Sequence, residues 1–590
     1  MNNLNYGVVG NCRSAALVSE RGTIEWLCLP DFNSPSVFAK ILDRNKGGEF
    51  SIEVDKGFEI QQSYVDYTNI LSTVFQKGMD KFEVIDFMPR FKSDDGTYYN
   101  PPDIVRYIKV ISGNPKVVFN YNPKLFYAKE ETVTLAEDEF IKSYTAKGTY
   151  ESLYLYTNLE FDIVLNKSEV ELSRDVFFLI SYNQKIEEIK LNKMYLKLQR
   201  TKVYWMNWSE RTMRVHKYNN EVFRSALVLK LLTYQKTGAI LAAVTTSIPE
   251  KIGGVRNWDY RYCWIRDASQ IIKVLATLGH LNGARRFLDF VTDIIPVKDE
   301  KIQIMYGIRG EKILTEEQLD HLEGYEESKP VRIGNSAYLK KQKDIYGVLM
   351  DVLYQNFQLY KKSQEATEEL WTIVRSVAKI VAGNWKNMDK GVWETRSEEK
   401  HFTFSKVLCW VAIDRGIKIA ELIGKNNYVE EWIKLRDEIK ESIIKNAWSD
   451  QLKAFKQAYE VEAMDSTNLL MQNYGFLEAN DPKYISTVKA TKEHLLYNGL
   501  MFGYKTEDDF GVPSSAFTIS TFWLIRSLTL IGEVEEAEKL FIEILKLSNH
   551  LGLFSENIDV SSKRLLGNFP HGGSHFALIE TAIHLSRVRK

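Results

Sequence analysis

Ala16-Leu17-Val18-Ser19-Glu20-Arg21-Gly22-Thr23-Ile24-Glu25-Trp26-Leu27-Cys28-Leu29 reads as two strands about a Glu-Arg-Gly turn, with glycine where the chain reverses. The same texture continues to about Ser181: Val117-Val118-Phe119-Asn120-Tyr121 and Val176-Phe177-Phe178-Leu179-Ile180 are β-branched and aromatic. A large antiparallel sandwich fits. From about Lys185 apolar residues recur at helical spacing instead. Tyr195 to Asn207 reads as a linking helix. Val222-Phe223, Ala226-Leu227 and Leu231-Leu232 mark a wide apolar face ended by Gly238. Leu370-Trp371, Val374, Val377-Ala378 and Val381 repeat it, as do Val407, Trp410-Val411, Ile417 and Ala420, and then Leu540-Phe541 and Ile544-Leu545. The remaining length allows about a dozen helices, which suits a closed ring of paired helices with function on its loops. No short-period repeat points to a solenoid.

The 590 residues would make about four average domains, though a large closed fold makes fewer. Hydrophobic residues are 44% and charged residues 26%, enough for a sizeable core. A formal net charge of -1 gives no global field for nucleic acid or anionic lipid. Cys12, Cys28, Cys263 and Cys409 form no CxxC pair and no metal-ligand spacing, so free buried thiols in a reducing compartment are expected. The N-terminus has no basic-then-apolar leader and no run is long enough to span a bilayer. The reading is cytoplasmic, with no metal, no cofactor, no nucleic acid and no membrane partner. A homo-oligomer is compatible with the sequence.

Two carboxylates stand out in the second half of the chain, although each alone is weak evidence: Glu394 in Gly391-Val392-Trp393-Glu394-Thr395-Arg396, and Glu556 in Gly552-Leu553-Phe554-Ser555-Glu556-Asn557. Acid/base cleavage of a glycosidic bond needs such a pair, one protonating the leaving oxygen and the other deprotonating water. The densest motif is Asn257-Trp258-Asp259-Tyr260-Arg261-Tyr262-Cys263-Trp264-Ile265-Arg266-Asp267. Arg266 and Asp267 place donor and acceptor side by side for two sugar hydroxyls, and Trp258 and Trp264 offer flat walls. Read alone, the same stretch also fits a salt-bridged loop with buried Trp anchors. Arg332, in a Gly-marked loop, is a candidate subsite residue. Gly567-Asn568-Phe569-Pro570-His571-Gly572-Gly573-Ser574-His575 opens the last helix, with Ser574 as candidate N-cap, His571 as a candidate subsite residue, and His575 as either a substrate contact or a capping or core histidine. There is no Walker loop, dinucleotide fingerprint, HExxH or GxSxG.

Together these stretches resemble glycoside hydrolase family 15, the glucoamylase family, over nearly the whole chain. Tyr6 to Val18, Gly22 to Pro30, Ser34 to Phe38, Thr237 to Ala243, Thr245-Thr246-Ser247-Ile248-Pro249-Glu250 and the Trp258–Asp267 motif are similar to its bacterial and archaeal branch. The resemblance implies an N-terminal β-sandwich (1–190), a helical linker (191–220) and an (α/α)6 barrel (221–590). It implies inverting exo-attack on α-glucosidic bonds, with Glu394 as general acid and Glu556 as general base. Arg266 and Asp267 then grip the −1 ring between walls made by Trp393 and Trp258. The acid is expected among aromatics, the base in reach of solvent.

The chain departs from many relatives at Asn557, where they carry a second acidic residue, and at His571, where they carry Gln. The first expectation for substrate is an α-glucan or maltooligosaccharide, attacked from the non-reducing end with release of β-glucose; the alternative is α,α-trehalose, cleaved by the same pair. A silent sugar-binding protein or a phosphorylase is disfavoured by retention of both carboxylates.

Overall fold

The computed structural model describes residues 3–187, 189–295, 302–360, 363–394 and 398–588. Two antiparallel sheets come first. One runs, in spatial order, Tyr6–Gly10, Ala15–Ser19, Ile24–Cys28, Glu49–Val54, Lys116–Asn122 and Val170–Glu171, with Ser36–Phe38 alongside the third strand. The other runs Thr132–Ala136, Ile141–Thr145, Ser152–Thr157, Val176–Tyr182, Asp103–Ser112, Asp80–Phe87, Leu71–Lys77 and Glu59–Tyr64. The expected hairpin is there: Ala16 pairs with Leu27, Leu17 with Trp26 and Val18 with Ile24, across a bulge. Gly22, with φ +75°, takes the left-handed turn position that a side chain would strain.

Period two explains the layers. Val9, Val18, Ile24 and Leu27 of the first sheet meet Val84, Ile108, Leu155 and Phe178 of the second in the sandwich core. The opposite faces are buried too. Tyr6, Val8, Leu17 and Trp26 join the core of the helical part. Val105, Tyr107, Tyr156 and Leu179 pack against Met194, Leu198 and Trp205. These last three lie on α2 (Leu191–Glu210), which follows a one-turn helix α1 (Phe161–Leu165) and outruns the Tyr195–Asn207 expectation at both ends.

The helical part comprises α3 (Asn219–Leu231), α4 (Ile265–Thr277), α5 (Leu281–Ile294), α6 (Asp344–Leu359), α7 (Gln364–Asn384), α8 (Thr403–Leu422), α9 (Val429–Ala447), α10 (Pro482–Leu495), α11 (Thr518–Leu530), α12 (Val534–Leu545) and α13 (Gly572–Val588). α3 ends at Leu231, seven residues before Gly238, which turns the following loop instead. An inner ring closes through α4, α6, α8, the 3-10 segment Ser466–Met471, α11, α13 and back to α4. Outside it, α5 packs on α4 and α6, α7 on α6 and α8, α9 on α8, α10 on α11 and the 3-10 segment, α12 on α11 and α13, and α3 on α13. This is an (α/α)6 barrel with one inner position in 3-10 form. Burial follows the layers: α5 hides one stripe, Phe287, Leu288, Val291 and Ile294 among it, whereas α8 is buried nearly all round.

Candidate active site

One large cavity opens where the inner helices begin. Trp264, Arg266 and Asp267 stand at the start of α4; Trp393 and Glu394 lie in the loop before α8; Phe517 precedes α11, and His571 precedes α13. Helix N-termini around a cavity favour negative charge, and Asp267 and Asp344 occupy first turns accordingly.

Glu394 lies in the left-handed region, φ +58°, a cost that a non-glycine residue bears only where the surroundings fix it. Two contacts fix it here. Trp264 Nε1 donates to Glu394 Oε1 at 2.8 Å, and Lys340 Nζ donates to its carbonyl. Burial raises its pKa above the ordinary carboxylate value, with Lys340 and Arg266 pulling the other way. A carboxyl that keeps its proton is the form a general acid needs.

Glu556 sits at the entry to a small three-stranded sheet of Ala516–Phe517, Asn557–Ile558 and Leu565–Leu566. Tyr260 donates to Oε1 at 2.6 Å and Asn568 N–H to Oε2 at 3.1 Å, so both oxygens are oriented. Gly567 makes room: a Cβ there would lie 2.7 Å from Oε2. Glu556 lines the cavity but presents little of its surface to it. Glu556 is 3% exposed, and burial together with Glu250 pushes its pKa up to about 8. Glu250, on the same cavity wall, is raised to about 7 by burial against the pull of Arg256.

Arg266 Nη1 donates to Asp344 Oδ2 at 2.9 Å, and its Nε lies 3.8 Å from Asp267 Oδ1. Trp393 is held through Nε1 to Asp465 Oδ2 at 2.8 Å, between Tyr504 and Phe517. Only glycine fits at Gly503, where a Cβ would meet Trp393 at 2.7 Å. Trp258 donates to Glu250 Oε1 at 3.3 Å. His571 lines the cavity near Tyr260, with its Nδ1 3.2 Å from Ser574 N and 2.9 Å from Ser574 Oγ. Burial drops its pKa to about 3, so the ring stays neutral. His571, not Ser574, is thus the cap of α13; Ser574 Oγ donates to the Ser555 carbonyl.

Eight of the ten expected site residues therefore share the cavity wall: Glu394, Glu556, Arg266, Asp267, Trp258, Trp264, Trp393 and His571. Arg332 and His575 do not. Arg332 is turned away, donating to the carbonyls of Val255 and Asn257, and its guanidinium covers one face of Trp258 at 4.6 Å. His575 is fully buried between the Phe554 N–H and the Ser225 hydroxyl. Reading the sequence missed Tyr260, Glu250, Lys340 and Asp344. Tyr260 and Glu250 lay inside the quoted motifs, whereas nothing in the sequence singles out Lys340 or Asp344. Among the described residues no group of three or more His, Cys, Asp or Glu is gathered as a metal set, all four cysteines are buried and unpaired, and no helix is long and apolar enough to cross a membrane.

Residues 216–529 match the model of "Glycosyl hydrolases family 15", and residues 5–174 match "Trehalase-like, N-terminal". The chain is 34% identical to a trehalase of Mycolicibacterium smegmatis, spanning 99% of this chain and 91% of that protein. It is 33% identical to a trehalase of Thermoplasma volcanium (99% and 93%) and 34% identical to trehalase 2 of Sulfolobus acidocaldarius (99% and 100%). Among solved structures, a bacterial glucoamylase complexed with acarbose superposes with a TM-score of 0.72 at 12% identity, covering 99% of this chain and 94% of the other. That likeness carries the fold. The curated relatives favour the sequence's second expectation for substrate over its first.

Proposed function

The chain belongs to glycoside hydrolase family 15, and from that premise we propose that it is an inverting α,α-trehalase. End-to-end similarity to proteins named trehalase carries the choice of substrate. In the proposed reaction one glucose ring of trehalose rests against Arg266 and Asp267. Water attacks its anomeric carbon from the Glu556 side. The bond to the bridging oxygen breaks, Glu394 gives its proton to that oxygen, and Glu556 takes the proton of the water. Two glucose molecules leave. The two carboxyls act on opposite faces of the ring, a geometry that in inverting enzymes separates them by ~6.5–9.5 Å. Tyr260 and the Asn568 N–H hold Glu556 towards the water, and Trp264 holds Glu394 towards the leaving oxygen. The raised pKa of Glu556 places the acid limb of activity well above the ordinary glutamate range, because the base works only when ionised. Initial rates of glucose release from trehalose and from maltotetraose, with and without phosphate, test the reading. Fast, phosphate-independent release from trehalose supports it; release from maltotetraose alone returns the enzyme to glucan hydrolysis.

A further inference from the structure

Two loops face each other across the cavity. One carries Glu250, Arg256 and Trp258; the other carries Tyr504, Asp508 and Phe510. They are joined. Arg256 Nη2 donates to Asp508 Oδ1 at 2.5 Å and to the Gly511 carbonyl at 2.8 Å. Tyr504 donates to the other carboxylate oxygen of Asp508, and its ring packs 5.2 Å from Trp393, the neighbour of Glu394. Phe510 meets Trp258 edge-on at 5.4 Å and lies under the Arg256 guanidinium, also at 5.4 Å. Asp508 and Gly511 pair as a tight turn.

This junction belongs to the rim and not to the floor. Glu507, Asp509, Val512 and Ser514 beside it are exposed, whereas Arg266 on the opposite part of the cavity wall is anchored on α4 and tied to the buried Asp344 of α6. The ion pair itself is sheltered, with side chains 6% exposed at Asp508 and 16% at Arg256. Parting the loops would leave Asp508 with only the Tyr504 hydroxyl and the Phe510 N–H, and Arg256 with only Glu250 beside it, so the ion pair disfavours an open mouth. In the proposed reaction the first ring rests against Arg266 and Asp267, and the rest of the cavity, where the second ring would go, is walled by this junction together with Trp258 and Trp393. A longer glucan entering by its chain end has to carry its third and later rings through the rim.

We propose that the Arg256–Asp508 bridge is a latch that closes the leaving-group side after one sugar ring and so selects a disaccharide over longer α-glucans. The proposal rests on the trehalase reading and deepens it. The latch residues act by holding the two loops together; they take no part in the proton transfers.

The test compares kcat/KM for trehalose, maltotriose and maltotetraose in the wild type, Asp508→Ala and Asp508→Asn, with thermal unfolding to confirm that each variant is folded. Asp508→Asn keeps the shape and removes the charge, so it carries the test should Asp508→Ala fail to fold. The expected result is a wild type confined to trehalose and a maltotetraose-to-trehalose ratio about tenfold or more higher in the alanine variant, with the asparagine variant in between. A merely structural bridge would lower all three substrates together. An unchanged ratio in folded variants of a trehalose-specific enzyme overturns the latch and leaves the proposed function standing. A wild type that is as fast on maltotetraose as on trehalose overturns the latch before any variant is made. A wild type that releases glucose from maltotetraose and none from trehalose refutes both.

Discussion

Glu556→Gln should cost activity and add stability, and the two effects have one cause. The carboxyl is buried, faces Glu250, and has its pKa raised from 4.5 to about 8. Folding therefore takes up a proton at this site between those pH values, and the stability that protonation gives is complete at low pH and lost as pH rises. At about 1.4 kcal/mol per pH unit, the gap between the ordinary value and pH 7 amounts to roughly 3 kcal/mol. Glu250 shares that strain, so about 2–3 kcal/mol is the expected part of Glu556. Glutamine keeps the packing and, like the protonated acid, accepts from Asn568 N–H through its oxygen and donates to the Tyr260 hydroxyl, whose own proton then turns to the cavity. It has no proton to take up, and the pH slope due to this group disappears. The assay is the denaturant midpoint of wild type and variant at about pH 5 and pH 7, alongside turnover of trehalose. The variant should lose at least about a hundredfold in kcat while its stability advantage over the wild type grows with pH. Parallel pH dependences would refute the burial argument. Activity within a few fold of wild type would remove Glu556 from its role.

Glu394→Gln should lower kcat on trehalose by about a hundredfold or more with little change in KM, since the leaving glucose then departs without a proton donor; steady-state kinetics read this directly. Tyr260→Phe removes the hydrogen bond that aims Glu556 and should cost about tenfold in kcat, again with KM nearly unchanged. Glu250→Gln removes the carboxylate that raises Glu556, so the acid limb of the kcat/KM profile should move to lower pH; a limb that stays in place would separate the two groups.

Much of this was legible in the sequence because it is periodic. The Ala16–Leu29 hairpin, the helical stripes of α7, α8 and α12, and the change of texture after Tyr182 each follow from alternation or from 3.6-residue spacing. Glu394 and Glu556 could be named only through the family resemblance, since each short motif alone is weak, and nothing local brings them together; the inner ring does that by turning the N-terminal ends of its helices to one cavity. Side-chain direction was the illegible part. Arg332 sits in the short strand Arg332–Ile333 beside the site, yet two backbone carbonyls turn it to the back of Trp258. His575, one turn further along, lines no part of the cavity because the Ser225 hydroxyl on α3 and the Phe554 N–H hold both of its ring nitrogens. Glu250 went unassigned because a glutamate after proline has no distinguishing neighbours until Trp258 and Glu556 are placed around it.

The most direct measurement is the anomeric composition of the first glucose released from trehalose, followed by proton NMR before mutarotation. Inversion at one ring, with the other leaving unchanged, gives α- and β-glucose in equal amounts. Release of α-glucose alone would mean retention through a covalent intermediate, and would contradict the assignment of Glu394 and Glu556 as acid and base.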